Sequence, residues 1–405
     1  MTPTTSDPAP VRLGASGAAV TVAAVLTNAL AYLVPMLGAR QLDAGDLSAL
    51  ATALGLAAIA GVPGLGLQLA IAVHHARHGR VPTGRVAAMT AALSAGALVV
   101  ATPVLTMVLR LPAQIPALLA VTTAAVVLAA RWLGQLQGEQ RFLRLAVAMA
   151  LLAAGRYGGV IAGLALDAGL TGSLAAGAGV AALSLPFLAW LAAPVDKQPP
   201  PAGPDERQPL RASQVLTGCS ATLAMLVVSY ADLILARQLL PAAESGAYAV
   251  GTVLTKGALW APQVVTVLAL PRLARGDRGT RRVALALTAG CGLVLVAAAA
   301  LAGGLAFRLA GGASYAHLGG YAPAFAATGA LYALVFVLLN ARVAAGVRRP
   351  AAPLWVAAAG LIAAALFVAP HTYAGVMWSA LITAALATAA MIRPVGRRAG
   401  ATVGG

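Results

Sequence analysis

Residues Pro194–Gln208 read PVDKQPPPAGPDERQ, and the rest of the chain takes its meaning from this stretch. Five prolines remove backbone donors and fix φ, while Asp196, Lys197, Asp205, Glu206 and Arg207 keep the segment in water. No packed element can form from it, so it is expected to be a cytoplasmic linker spanning 194–212. Six long apolar runs precede it and six follow, at about 14–37, 47–73, 86–109, 113–133, 144–166, 170–193, 213–236, 247–270, 283–307, 321–345, 351–369 and 373–392. A membrane-crossing helix needs roughly 20 mostly apolar residues. With 60% of its 405 residues hydrophobic and 9% charged, the chain can supply about a dozen and has almost nothing left for a soluble domain. The expected fold is an all-α polytopic membrane protein of about 12 transmembrane helices. They form an N-terminal six-helix bundle (1–193) and a C-terminal one (213–405) that ends in a short basic tail.

The arginines orient it. Of 27 Lys and Arg, twenty-one fall in alternate gaps, the ones that are inside if the N-terminus is inside. The intervening gaps hold only Arg40, Arg110, Arg237 and Arg308. Excess Lys/Arg marks cytoplasmic loops, so both termini are expected in the cytoplasm. The formal net charge of +16 is therefore topological. It suits anionic inner-leaflet lipids and, without a basic stripe interleaved with aromatics, argues against nucleic acid. Cys219 and Cys291 both lie in apolar runs, so no disulfide framework is expected. The Ala/Gly/Arg-rich composition suggests a bacterial inner membrane.

The halves echo each other. Ala39-Arg40-Gln41-Leu42 followed by Asp46 closes the first run, and Ala236-Arg237-Gln238-Leu239 followed by Glu244 closes the seventh. Pro63 and Arg77 have counterparts in Pro262 and Arg275. An even number of spans per half inserts both copies the same way up, a parallel repeat.

Charges inside spans are expensive and mark cavities or partners. Arg156 lies near the middle of the fifth span among Gly155, Gly158, Gly159 and Gly163. It is either a lumenal contact for an anion or a structural cation on helix-end carbonyls. Lys256 shares a helical stripe with Thr252, Trp260 and Gln263. That stripe suits a lumen that meets sugars, and it suits a helix–helix contact with one snorkelling lysine. Asp232, on a face with Ser229 and Met225, is either a coupling carboxylate for a proton or sodium ion or the partner of Arg237 or Lys256. Asn28 and Tyr32 on the first span are further lumenal candidates. His74, His75 and His78 lack an accompanying acid, so no metal site and no cofactor is expected. No nucleophile elbow, phosphate loop or paired carboxylates occur, which excludes the common enzyme classes.

Ala231-Asp232-Leu233-Ile234-Leu235-Ala236-Arg237, then Leu240-Pro241, then Glu244-Ser245-Gly246-Ala247-Tyr248 resembles an exporter family's segment, in which an Asp-bearing helix end leads into a small-Gly-x-Tyr helix start. The first-half version is Gly38 to Leu42 with Asp46 to Leu50. Gly14-Ala15-Ser16-Gly17, Pro262-Gln263 and Pro271-Arg272-Leu273-Ala274 are similar to further family features. The family is the multidrug/oligosaccharidyl-lipid/polysaccharide exporter superfamily, in its polysaccharide (lipid-linked oligosaccharide) flippase branch. The resemblance implies two six-helix bundles around a V-shaped, cation-lined cavity. It also implies an anionic lipid-linked glycan as substrate, and envelope-glycan synthesis enzymes as partners. Arg156 and Lys256 are the cations placed to serve a diphosphate. Three alternatives stand beside it: a drug/cation antiporter of the multidrug branch, which would use Asp232; a major-facilitator-type transporter, whose loop signature Gly276 to Arg282 resembles superficially; and a non-transporting membrane scaffold.

Overall fold

The computed structural model describes residues 11–78, 82–193, 212–260, 278–344, 347 and 349–392. Among them every regular element is helical, and the elements follow the twelve apolar runs. Span 1 is Val11–Gln41; span 2 is Ala44–Ala60 continued by Val62–His78; span 3 is Gly84–Val100 continued by Thr102–Met107; span 4 is Gln114–Gly138. Span 5 is Phe142–Ala153 and Gly159–Ala165 joined by a π-helical turn at Ala154–Gly158, and span 6 is Gly169–Leu191. Span 7 is Ala212–Leu239, span 8 Ala242–Trp260 and span 9 Arg278–Gly311. Span 10 is a 3₁₀ segment, Ala313–Tyr321, running into Ala322–Ala344; span 11 is Ala352–Phe367 and span 12 Tyr373–Ile392. Among the described residues nine spans are long and apolar enough to cross a membrane, with the helices of spans 3 and 11 shorter. Leu301, Phe367, Val368 and Val100 are each more than four-fifths exposed. Lipid tails solvate such side chains without penalty, whereas the backbone must be satisfied internally, as helices do. The chain is a multi-pass membrane protein.

Two runs expected as continuous helices are interrupted. Span 2 breaks at Gly61 and span 3 at Ala101, each two residues before a proline, Pro63 and Pro103. A proline cannot donate to the preceding turn, so the helix restarts with proline in its first turn.

The chain divides into two compact units, Met1–Thr222 and Leu223–Gly405, and the division falls within span 7. The linker expected at 194–212 lies, up to residue 211, outside the described residues. In the first unit span 4 is central, packed on spans 2, 3, 5 and 6. Its Gly134 and Gly138, one turn apart, face span 2: a methyl group at either would stand 2.6 Å from the Gln68 carbonyl oxygen or 2.7 Å from that of Ala72. Small residues at this spacing let helix backbones approach where no hydrophobic drive exists. Gln68 Nε2 donates to Gln137 Oε1 across the same seam at 3.0 Å. On its other flank Ala129, Leu133 and Leu136 pack with Leu145, Ala148, Leu188 and Ala192.

In the second unit span 10 takes the central place, packed on spans 8, 9 and 12. Span 7 packs on span 11 through Ala231, Leu235, Leu361 and Ala365, as span 1 packs on span 5 in the first unit. Most of these contacts have a counterpart six helices earlier (8–10 for 2–4, 9–10 for 3–4, 10–12 for 4–6, 7–11 for 1–5), in keeping with the parallel repeat read from the sequence.

Candidate functional site

In the first unit the glycines of span 5 are used by span 6. A Cβ on Gly159 would lie 2.7 Å from the Ala176 carbonyl oxygen and 2.8 Å from Gly177 Cα, and one on Gly163 would lie 2.5 Å from Ser173 Cα. Gly158 faces open space. The close neighbour of Gly159 and Gly163 is therefore a helix. Arg156 sits in the π turn, off this face and half-buried. Its guanidinium carbon lies 4.8 Å from the centre of the Tyr157 ring, a cation–π contact. It makes no hydrogen bond among the described residues, so the expected helix-end carbonyls do not hold it. A guanidinium carries five donors and no acceptor, and here those donors stay available to an anion. On span 1, which packs on span 5, Asn28 is exposed and Tyr32 half-buried.

In the second unit Asp232 and Lys256 are brought into one cluster. Lys256 Nζ donates to the Ser229 backbone oxygen and, at 3.2 Å, to Ser229 Oγ. The same ammonium stands 3.4 Å from the centre of the Tyr230 ring. Asp232 is 3% exposed, and Tyr248 Oη donates to its Oδ2 at 3.1 Å. The carboxylate and the ammonium interact electrostatically. Tyr332 Oη donates to the Val228 oxygen at 3.2 Å, one residue from the lysine's acceptor. Taking a carboxylate and an ammonium out of water costs several kcal/mol per ion, and removing one member of a buried pair costs ~3–5 kcal/mol. Around it Tyr248, Phe325 and Tyr373 meet edge to face at 5.2–6.0 Å between ring centres. On the rest of the expected stripe, Thr252 is buried and bonds back to Ala249 at 2.7 Å. Trp260 packs edge-on to Phe336 at 6.1 Å, and Gln263 lies outside the described residues. Arg156 and Lys256 belong to different units.

No family model and no curated protein matches the sequence. Solved structures do. The inward-facing structure of a multidrug resistance MATE family transporter of the MOP superfamily superposes with a TM-score of 0.64, covering 90% of this chain and 93% of that one at 14% identity. The lipid II flippase MurJ in its inward closed conformation gives 0.66, 92% and 86%, at 13% identity. The eukaryotic MATE transporter AtDTX14 gives 0.59, 94% and 96%, at 13% identity. The chain shares the fold of these transporters.

The two halves of this fold differ at the polar positions. Aligning Asp46 with Glu244 sets Leu50 opposite Tyr248 and Ala58 opposite Lys256, and aligning the two Ala-Arg-Gln-Leu segments sets Pro35 opposite Asp232. The first half carries apolar residues at the positions aligned with Asp232, Tyr248 and Lys256. Sequence reasoning named Asp232 and Lys256 but missed Tyr230, Tyr248 and Tyr373. Tyr248 was in view as the end of a helix-start motif. The nearness of span 8 to span 7 in the hairpin could have paired it with Asp232.

Proposed function

We propose that this protein is a cation-coupled secondary transporter of the bacterial cell membrane that flips or exports an anionic, lipid-linked envelope glycan precursor. Arg156 carries this proposal: a guanidinium in mid-span, half-buried, resting on Tyr157 and free of hydrogen bonds among the described residues. A diphosphate linking a polyprenyl chain to a sugar fits such a group bidentately. The likeness to a lipid II flippase supports this substrate class. Lys256, tied to Ser229 and facing Asp232, is assigned to coupling, with Asp232 as the carboxylate that takes up and releases the ion. Membrane lipids and the enzymes that build the glycan are the partners that follow, and nothing in the site calls for covalent catalysis.

The test is flipping of a fluorescent polyprenyl-diphosphate saccharide in liposomes holding the purified protein, read by an impermeant quencher. A hydrogen bond to a charged group contributes ~1.5–3 kcal/mol, so Arg156→Ala is expected to lower the rate on the order of ten- to a hundredfold, with Arg156→Lys in between. Wild-type flipping in Arg156→Ala removes the anion contact. The Asp232 cluster favours a second assignment, a drug/cation antiporter of the kind named in the MATE neighbours. That assignment requires drug efflux abolished by Asp232→Asn, and persisting efflux sinks it.

A further inference from the structure

Tyr373 opens span 12, and its backbone N–H donates to Glu244 Oε2 at 3.2 Å, which pins it beside the start of span 8. Its side chain is 8% exposed, and its hydroxyl is buried without a hydrogen-bond partner. Buried hydroxyls of native proteins are almost always satisfied, and one with no protein partner is a seat for ordered water. The Tyr373 ring meets Tyr321, 5.1 Å between centres, and Tyr321 is 37% exposed. The same ring meets Tyr248, 5.6 Å away and fully buried, whose hydroxyl already donates to Asp232. Three phenols thus descend in order of exposure from the surface to the carboxylate. Depth agrees: Asp232 is seven residues from the end of span 7 and Tyr248 six from the start of span 8, each ~10 Å in at 1.5 Å per residue.

We infer that Tyr321, Tyr373 and Tyr248 form a hydrated proton path connecting Asp232 to the membrane face where spans 7 and 8 join, with one water seated on the orphaned Tyr373 hydroxyl. This rests on Asp232 being the coupling carboxylate. A proton from bulk water enters at Tyr321 and passes to the water on Tyr373. Each phenol accepts a proton on its oxygen and releases its own, ending as it began, and Tyr248 hands the last proton to Asp232 Oδ2. The net change is one proton from water onto the carboxylate, giving the neutral acid. The charged and titratable groups facing the path are Lys256, Tyr230 and Tyr332 at the inner end and Glu244 at the mouth. His317 and His371 lie on the segments that carry Tyr321 and Tyr373. The arginine pattern assigns this face to the outside, so the path is the outer access to the coupling site.

The test uses the full chain in liposomes and infrared difference spectroscopy. The carbonyl band of protonated Asp232 is identified by its loss in Asp232→Asn, and its shift after a jump into D₂O gives the exchange rate. Proton relays of this kind are worth ~10²–10⁴-fold in rate, so Tyr373→Phe and Tyr248→Phe, which keep the ring packing, are expected to slow exchange tenfold or more. Tyr315→Phe, off the path, should leave it unchanged. Wild-type exchange in Tyr373→Phe overturns the path. A wild-type spectrum with no band assignable to Asp232 between pH 5 and 9 instead overturns the coupling role assigned to that residue.

Discussion

Gly329 is where span 10 crosses span 8 most closely, one residue from the lysine of the coupling cluster. A Cβ there would lie 2.1 Å from the Thr255 carbonyl oxygen, 2.9 Å from its carbon and 2.8 Å from Ala258 Cβ. Carbon atoms are in optimal contact at ~3.5–4.0 Å, and two of the three obstacles are backbone, so no rotamer change relieves them. Gly329→Ala must part the helices by roughly 1 Å, an overpacking cost of about 1–3 kcal/mol. The same motion stretches the Thr255 Oγ to Phe325 oxygen bond, now 3.1 Å, beyond hydrogen-bond range, losing about 1 kcal/mol more. Replacing glycine by alanine within a helix returns about 1 kcal/mol. The net is a loss of about 1–3 kcal/mol, or roughly 3–10 °C in melting temperature by the scaling for large domains. Thermal melting of detergent-solubilised protein, followed by the surviving monodisperse fraction, reads it. Gly360→Ala is the control, because a methyl group there meets only open space. If Gly329→Ala melts at or above Gly360→Ala, the crossing is not as close as described and the Lys256 site is not pinned by it.

Three further outcomes are expected. Tyr248→Phe withdraws the phenol donor from a buried carboxylate and should cost about 1–3 kcal/mol; combined with Asp232→Asn the losses should be less than additive, and strict additivity in a double-mutant cycle counts against the pair. Glu244→Ala removes the acceptor at the start of span 12 and should lower stability by about 0.5–2 kcal/mol, with Glu244→Gln recovering part; equal melting of both variants and wild type contradicts the cap. Gly163→Ala pushes a methyl group into Ser173 Cα and should cost about 1–3 kcal/mol, whereas Gly158→Ala should be tolerated; the reverse order in melting temperature would mean that spans 5 and 6 do not meet through Gly163.

The fold was legible because lipid imposes a simple code. The twelve apolar runs report a requirement of the solvent rather than of a particular partner. The breaks in spans 2 and 3 beside Pro63 and Pro103 were not legible, because Pro35 and Pro186 lie within unbroken helices and a proline alone does not decide between the two. The site was legible only in part. Arg156, Asp232 and Lys256 stand out as charges in apolar runs, but the acceptor of Lys256 is the backbone oxygen of Ser229, and a carbonyl has no sequence signature. Tyr373 lies 141 residues from Asp232, at the start of the last span, and only the packing of spans 8, 10 and 12 brings its ring beside that of Tyr248. The π turn at Ala154–Gly158 was also invisible, since Ala-Gly-Arg-Tyr-Gly carries no residue that forces it.

That turn makes the length of span 5 matter as much as its composition. A π turn carries one residue more than an α turn can hold, and span 5 accommodates that extra residue without unravelling. Deleting a single residue there, Gly158 for instance, would let the turn close up as regular α-helix with its flanks still in register, and only the side chains of the turn itself, Arg156 among them, would change direction. The guanidinium of Arg156 would then point elsewhere while every side chain in the span kept its identity. Its aim is set by register, and a sequence comparison that tolerates gaps will pass over the change that most directly redirects it.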